Sequence, residues 1–279
     1  MAQRNKAMQT DKSVQVGRSF KTRSSDVFIV TYPKCGTTWV SQICHQLRTG
    51  GTDDFEEISV VVPWDILAHD CGQDLEAEQV ANPRLFKSHE RRHDVAKGAK
   101  YIHVSRRPED AFLSFYKFLP AFDAIPPGEI SLEEFAEAVF GGVSHSGGIW
   151  DFFAEWWERR KDPDVLWVCF EDLKKDLRGQ IKRIAEFMLD EPPSEDLLKI
   201  VEEKSSFKYM EAHSTQFDEH WVFEKVRNQM GIPKDYVFGD IDVSKVRAGG
   251  GNVGEGRQLP ARVAEMLEQR WQGTMTAKT

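Results

Sequence analysis

A buried strand that runs through a short loop into an amphipathic helix is the feature that most constrains this chain. Residues 26–32, DVFIVTY, are β-branched and aromatic, as in strands that are buried on both faces. From Thr37 to about Leu47, apolar residues spaced four apart predict a helix. Further strands are predicted at 84–89, 100–106 and 164–172. Because helical patterns alternate with these strands, we predict an α/β fold: a single-domain parallel β-sheet flanked by helices, with a P-loop-like strand–loop–helix.

The composition limits what kind of protein this is. Its 279 residues, 40% of them hydrophobic, suffice for one sizeable core, and no Pro/Gly-rich linker divides them. We therefore expect a flexible N-terminal arm at 1–25 and a single domain at 26–279. A net charge of −8 argues against nucleic-acid binding, which needs a basic surface.

The same features predict a cytoplasmic location. The first residues lack the apolar stretch of a signal peptide, and no apolar run is long enough to span a bilayer. The four cysteines stand far apart without a CxxC pair, which disfavours a disulfide framework or a zinc site. We expect a protein of a reducing compartment that binds neither nucleic acid nor membrane.

The loop after the first strand has the residues of an anion site. Unpaired N–H groups and the helix dipole favour negative charge at a helix N-terminus. Gly36 allows close approach to the backbone, and Lys34 adds a positive charge. Thr37 and Thr38 add hydroxyl donors. Lysine precedes glycine here, unlike in the G-x-x-x-x-G-K-[ST] loop of nucleoside triphosphate sites.

An anion site of this kind leaves two classes of function to consider: a kinase and a nucleotide-binding protein without catalysis. A P-loop kinase that transfers phosphate from ATP would need acidic magnesium ligands, and the nearest candidates are Glu171 and Asp172. A nucleotide-binding protein without catalysis is the other. His89 and Lys87 disfavour it, because a protein that only binds needs no base.

Three segments together resemble the cytosolic (PAPS-dependent) sulfotransferases. They are TYPKCGTTWVSQI (31–43), RLFKSHE (84–90) and YIHVSRRPEDAFLSFYKF (101–118). The resemblance implies transfer of a sulfuryl group from 3′-phosphoadenosine-5′-phosphosulfate (PAPS) to a hydroxyl or amine of a small molecule. The product would be adenosine 3′,5′-bisphosphate (PAP), and no metal would be required. Sulfation followed by elimination, giving net dehydration, is an alternative within this family.

The resemblance also implies roles for individual residues. His89 would be the general base, and Lys87 and Lys34 would stabilise the transferring and leaving groups. A histidine suits this role because it titrates near neutral pH. An arginine fork suits the 3′-phosphate, although Arg106 could instead form an ion pair with Asp110. The implied cofactor-binding residues are Lys34, Cys35, Gly36, Thr37 and Thr38 at the phosphosulfate, Trp39, Ser205 and Phe207 at the adenine, and Arg106, Ser114, Arg247, Ala248 and Gly249 at the 3′-phosphate.

The sequence departs from the family pattern at several positions. Ala248 stands where a lysine is usual, and Phe170 stands where a tyrosine usually reaches the adenine. The family's dimerisation motif is not recognisable, so the expected form is either a monomer or a homodimer. Cys35 replaces serine, and two interpretations are open. It is either a small neutral substitute, or a thiol whose pKa the helix N-terminus lowers, making the activity sensitive to oxidants.

The acceptor site is less defined by the sequence. Aromatic segments at 61–70, 118–127 and 147–157 could line a pocket or pack in the core. Nearby carboxylates could favour a cationic acceptor or be solvated. These are Asp65, Asp70, Asp123 and Asp151.

Overall fold

The sheet is parallel throughout. A computed structural model describes residues 1–52, 54–142, 144–243, 245–246 and 251–275. The strands are β1 (Val27–Thr31), β2 (Leu85–Ser88), β3 (Lys100–Ser105) and β4 (Val165–Cys169), in the order β2-β1-β3-β4. In the register, Val27 lies opposite Leu85 on one side and Lys100 on the other. The predicted α/β fold with a parallel sheet is confirmed.

Helices cover both faces of this sheet. In the described ranges they are α1 (Ala2–Lys6), α2 (Asp11–Ser19), α3 (Thr37–Thr49), α4 (Ile58–Val61), α5 (Pro108–Phe122), α6 (Leu132–Phe140), α7 (Ile149–Glu158), α8 (Phe170–Lys175), α9 (Leu177–Met188), α10 (Glu195–Lys204), α11 (Phe207–Ala212), α12 (His220–Val226) and α13 (Ala261–Met275). Short 3-10 helices lie at Ser214–Phe217 and Glu255–Gln258. None of the helices described here has both the length and the apolar character that a membrane crossing needs.

The core divides into layers because strand side chains alternate between faces. Phe28 and Val30 of β1 point into a cluster with residues of α5, α6, α7 and α13. Val27 and Ile29 point into the opposite cluster, with α3, α9 and α10. All four residues are completely buried. The near-continuous apolar run of β1 thus reflects its burial on two sides.

The N-terminal segment differs from the expected flexible arm. Thr10 caps α2 by accepting a hydrogen bond from the Ser13 N–H at 3.1 Å. Phe20 is buried, with its ring 5.0 Å from that of Phe86. Gly17 packs so closely that a Cβ there would lie 2.4 Å from the Asp65 carbonyl oxygen. The polar composition concealed these contacts, because a few apolar residues and one glycine provide the packing.

Candidate active site

The loop from β1 to α3 folds through two left-handed residues. Lys34 has a φ of 69° and Gly36 a φ of 106°. A Cβ on Gly36 would lie 2.9 Å from the Phe170 ring, so glycine is required for both conformation and space. Thr37 and Thr38 then begin α3 and line a cleft together with Lys34 and Gly36. This places the predicted anion loop at the carboxyl end of the sheet.

Cys35 points away from the cleft. Its side chain is completely buried in the core, and its N–H donates to the Tyr32 carbonyl at 3.2 Å. Burial raises the pKa of the Cys35 thiol to about 12, although the Arg106 charge opposes the rise. The expected lowering of the pKa by the helix N-terminus is therefore wrong, because desolvation outweighs the favourable charges. The interpretation as a small neutral substitute for serine fits this position.

His89 follows β2 and lines the same cleft. Its Nδ1 lies 2.8 Å from the Thr31 carbonyl oxygen. A carbonyl only accepts hydrogen bonds, so Nδ1 carries the proton and Nε2 keeps its lone pair. Burial, together with the nearby Lys87 charge, lowers the pKa of His89 to about 3. The imidazole is therefore neutral at physiological pH with its Nε2 lone pair available, and its pKa lies well below the near-neutral value expected from the sequence, because burial disfavours the charged form.

Thr31 connects this histidine to the anion loop. Its Oγ1 lies 3.3 Å from His89 Nδ1 and 2.5 Å from the Thr37 Oγ1. Thr31 and Thr37 are both buried. The end of β1 therefore fixes the histidine ring and the first turn of α3 relative to each other.

Lys87 enters the cleft from β2, two residues before His89. Its Nζ forms an ion pair with the Glu219 carboxylate and lies 3.8 Å from the centre of the Trp64 ring. The Trp64 ring also packs against His89, with centroids 4.9 Å apart. Burial lowers the pKa of Lys87 to about 8, while Glu219 favours its charged form. Lys245 pairs with the same carboxylate at 2.5 Å.

Sequence reasoning missed Glu219 and Lys245. Both line the cleft, yet they come from segments far along the chain from β2. A lone Glu at the start of α12 and a lone Lys before the glycine-rich stretch match no motif. The signal that could have found them is indirect: a buried Lys87 requires a carboxylate partner.

Arg106 and Ser114 line another part of the cleft. Arg106 Nη1 donates to the Lys34 carbonyl at 3.0 Å, and the guanidinium lies 4.3 Å from the Phe170 ring centre. Its Nε is buried without a partner in the described part of the chain. Asp110 does not pair with Arg106. It accepts hydrogen bonds from the N–H groups of Gly254 and Gly256 at 2.8 and 2.7 Å.

The residues expected at the adenine lie at two depths. Trp39 and Phe207 line the cleft, and the Trp39 ring meets Phe170 edge to face at 5.5 Å. Ser205 is completely buried, and its carbonyl accepts a hydrogen bond from Trp39 Nε1 at 2.7 Å. It therefore supports Trp39 and does not line the cleft itself. Arg247, Ala248 and Gly249 lie outside the described residues.

The cleft has an interior volume of about 250 Å³. Besides the polar residues described above, its wall includes a mostly apolar region. This region is lined by Met8, Ile66, Phe115, Phe118, Leu119 and Phe122, with Ser144, His145 and Ser146. None of the four aspartates considered for a cationic acceptor is among the described residues that line the cleft. Asp65 and Asp123 are buried, and Asp70 accepts hydrogen bonds from Thr10.

Comparisons with known proteins identify the family of this chain. The sequence model for the sulfotransferase domain matches residues 24–237. Sulfotransferase 1E1 from Homo sapiens is 31% identical over 205 residues, covering 69% of this chain and 68% of that protein.

Two solved structures share the fold. One is mouse sulfotransferase SULT7A1 complexed with PAP, with a TM-score of 0.69 at 20% identity, covering 96% of this chain and 91% of that one. The other is retinol dehydratase in complex with androsterone and PAP, with a TM-score of 0.71 at 18% identity, covering 95% and 84%. With the domain match and the human relative, the chain belongs to the sulfotransferase family, and it is an enzyme of sulfuryl transfer.

Proposed function

We propose that this enzyme transfers the sulfuryl group of PAPS to a hydroxyl or amine of a small molecule, with His89 as general base. The observation that carries the proposal is the state of His89. Its protonated Nδ1 is held by the Thr31 carbonyl, so Nε2 keeps its lone pair in the cleft wall beside Lys87. A base with this geometry suits proton abstraction from an acceptor group.

His89 accepts the acceptor's proton as the acceptor oxygen or nitrogen bonds to sulfur. The bond from sulfur to the bridging phosphate oxygen breaks, and its electron pair stays on that oxygen. Lys34 and the N-terminus of α3 stabilise the negative charge that develops there. PAPS supplies the activated sulfuryl group, and PAP and a sulfated acceptor leave. No metal is required in this proposal, because lysines provide the positive charge.

The remaining cleft residues suit the nucleotide part of PAPS. Arg106 has a buried Nε without a partner in the described ranges, so its guanidinium retains donor capacity for a 3′-phosphate. Ser114 of α5 lines the cleft with it. Trp39 and Phe207 provide aromatic surface for the adenine. Arg247, Ala248 and Gly249 remain predicted contacts of the 3′-phosphate.

The acceptor would occupy the apolar region of the cleft. Its lining of Phe115, Phe118, Leu119 and Phe122 favours an uncharged molecule with an apolar body. Incubating the enzyme with sulfur-labelled PAPS and a metabolite extract tests this proposal, since the labelled product identifies the acceptor. Transfer of label to a small molecule is expected. If no label is transferred from PAPS to any extract component, the proposed donor is wrong.

A P-loop kinase is the alternative, and ligand-induced stabilisation separates the two. Its candidate magnesium ligand Glu171 accepts a hydrogen bond from the Arg107 N–H at 3.0 Å. We expect PAP to raise the thermal midpoint more than ATP with magnesium does. Stabilisation by ATP alone would favour the kinase.

A further inference from the structure

Glu219 is a buried carboxylate that the motifs and the transfer step leave unused. It is 3% exposed and precedes α12 with a φ of 72°, a left-handed conformation that is uncommon for residues other than glycine. Sparsely populated backbone conformations and buried charges both concentrate at functional sites. In this chain they coincide in one residue of the cleft wall.

Glu219 bridges two lysines from distant parts of the chain. Its Oε1 pairs with the Nζ of Lys87 and with the Nζ of Lys245. The side chains of Glu219, Lys87 and Lys245 are only 4%, 8% and 10% exposed. The two lysines and Glu219 together carry a single positive charge when the buried Glu57, whose pKa burial raises to about 7, is protonated.

This cluster adjoins the proposed base. Lys87 lies over the Trp64 ring that packs against His89. Lys245 lies 5.4 Å from the centre of the Phe118 ring, and Lys34 lies 3.9 Å from the same centre. The cluster therefore shares the Trp64 ring with the base and the Phe118 ring with Lys34 of the anion loop.

We infer that Glu219 and Lys245 form, together with Lys87, the pocket for the transferring sulfuryl group. Glu219 is a positioning residue that holds both ammonium groups, and Lys245 supplies the charge that Glu219 cancels. The sulfuryl group of the donor carries one negative charge, which the single net positive charge of the cluster matches. The inference rests on the proposed function, because it takes PAPS as the donor.

The charge balance explains why both residues are needed. With Glu219 but without Lys245, the Lys87 charge would be cancelled within the cluster. Without Glu219, two like charges would face each other in a buried site, which favours loss of a proton from one lysine. The other titratable groups that interact with Lys87 and Glu219 are Glu57, His89 and Cys71.

Binding of PAPS and PAP to a set of variants tests the inference. PAP lacks the sulfuryl group, so the ratio of the two affinities isolates this pocket from the rest of the cleft. Calorimetry on Lys245→Met should show the preference for PAPS over PAP reduced by about 10-fold or more. Adding Glu219→Gln to that variant should restore most of the preference, because it releases Lys87 as the single charge.

Lys117→Met is the matched control. Lys117 lines another part of the cleft, where it pairs with Glu255 at 3.2 Å. Its loss should change the PAPS and PAP affinities by the same factor. Thermal unfolding of each variant identifies any that fail to fold, and Lys245→Arg and Glu219→Asp should keep most of the preference.

The pH dependence of PAPS affinity gives an independent readout. In Glu219→Gln the loss of affinity for PAPS at alkaline pH should begin about one pH unit lower than in the wild type.

An unchanged ratio of PAPS affinity to PAP affinity in Lys245→Met, or purely additive effects in the double variant, would overturn the inference while the donor assignment stood. A wild-type enzyme that binds neither PAPS nor PAP would overturn the proposed function and this inference with it.

Discussion

The Nδ1 atom of His89 lies 2.8 Å from the Thr31 carbonyl oxygen, so the last residue of β1 fixes the tautomer of the proposed base. Because the acceptor of this hydrogen bond is a backbone atom, side-chain substitution at Thr31 leaves it in place. The backbone of the sheet therefore determines which ring nitrogen of His89 carries the proton.

The pH profile should reflect two shifted groups. His89 acts when deprotonated, and burial lowers its pKa to about 3, so no activity should be lost through His89 between pH 7 and 5 in short assays. Lys87 acts when protonated, and its pKa of about 8 predicts falling kcat/KM for PAPS above that pH. A single acidic limb near the ordinary histidine pKa of about 6.5 would contradict this assignment.

Replacing Arg106 with methionine should weaken PAP binding by about 10- to 100-fold, since a charge-assisted contact would be lost. Adenosine 5′-phosphate lacks the 3′-phosphate, so its affinity should change little. Arg107, the exposed neighbour, provides the control, and Arg107→Met should leave PAP affinity within about twofold. Equal losses for both nucleotides in Arg106→Met would show that Arg106 does not read the 3′-phosphate.

Cys35 should be inert in the folded protein. Its thiol is buried and its pKa is raised to about 12, whereas Cys169 is the one cysteine of the chain that is partly exposed. Brief alkylation followed by mass spectrometry should therefore label Cys169 and leave Cys35 unmodified. Cys35→Ser should respond to oxidants as the wild type does. Rapid labelling of Cys35 would show that the core around it opens.

The stability of the fold should decrease in acid because of His103. Its two ring nitrogens are buried without partners in the described residues, and its ring stacks on Trp167 at 4.0 Å. Burial lowers its pKa to about 3, so below pH 6.5 the unfolded chain binds a proton that the folded chain excludes. Each such histidine reduces the free energy of unfolding by about 1.4 kcal/mol per pH unit in that range.

His103→Phe should therefore flatten the acid dependence and leave stability at pH 7.5 equal or higher. Urea unfolding at pH 7.5, 6.0 and 5.0 measures this slope. An unchanged slope in the variant would mean that His103 is not the responsible group.

Gly17→Ala should detach the N-terminal helices, because the new Cβ would meet the Asp65 backbone. Limited proteolysis should then cleave within residues 1–20 faster than in the wild type. Gly273→Ala in α13 is the control: nothing lies within 4 Å of a Cβ there, and helix propensity favours alanine. Equal cleavage of all three proteins would support the flexible arm that the sequence predicted.

Local patterns in the sequence predicted the sheet and most of the cleft. Strand composition located β1 to β4, and residues at the strand ends, such as His89 and Arg106, lie in one cleft because parallel strands end at the same edge. The direction in which a side chain points, and how deeply it is buried, could not be predicted from local patterns. Cys35 lies inside a loop motif yet points into the core, and Ser205 lies behind Trp39. Glu219 comes from a long-range contact that no local pattern encodes.

The most direct test of the central claim is sulfuryl transfer by wild-type enzyme and by His89→Ala, with sulfur-labelled PAPS and the acceptor found in the extract. The account predicts label on the acceptor with the wild type, a rate lower by about 10²- to 10⁴-fold in the variant, and PAP affinity within about twofold. Wild-type rates in His89→Ala would contradict the account.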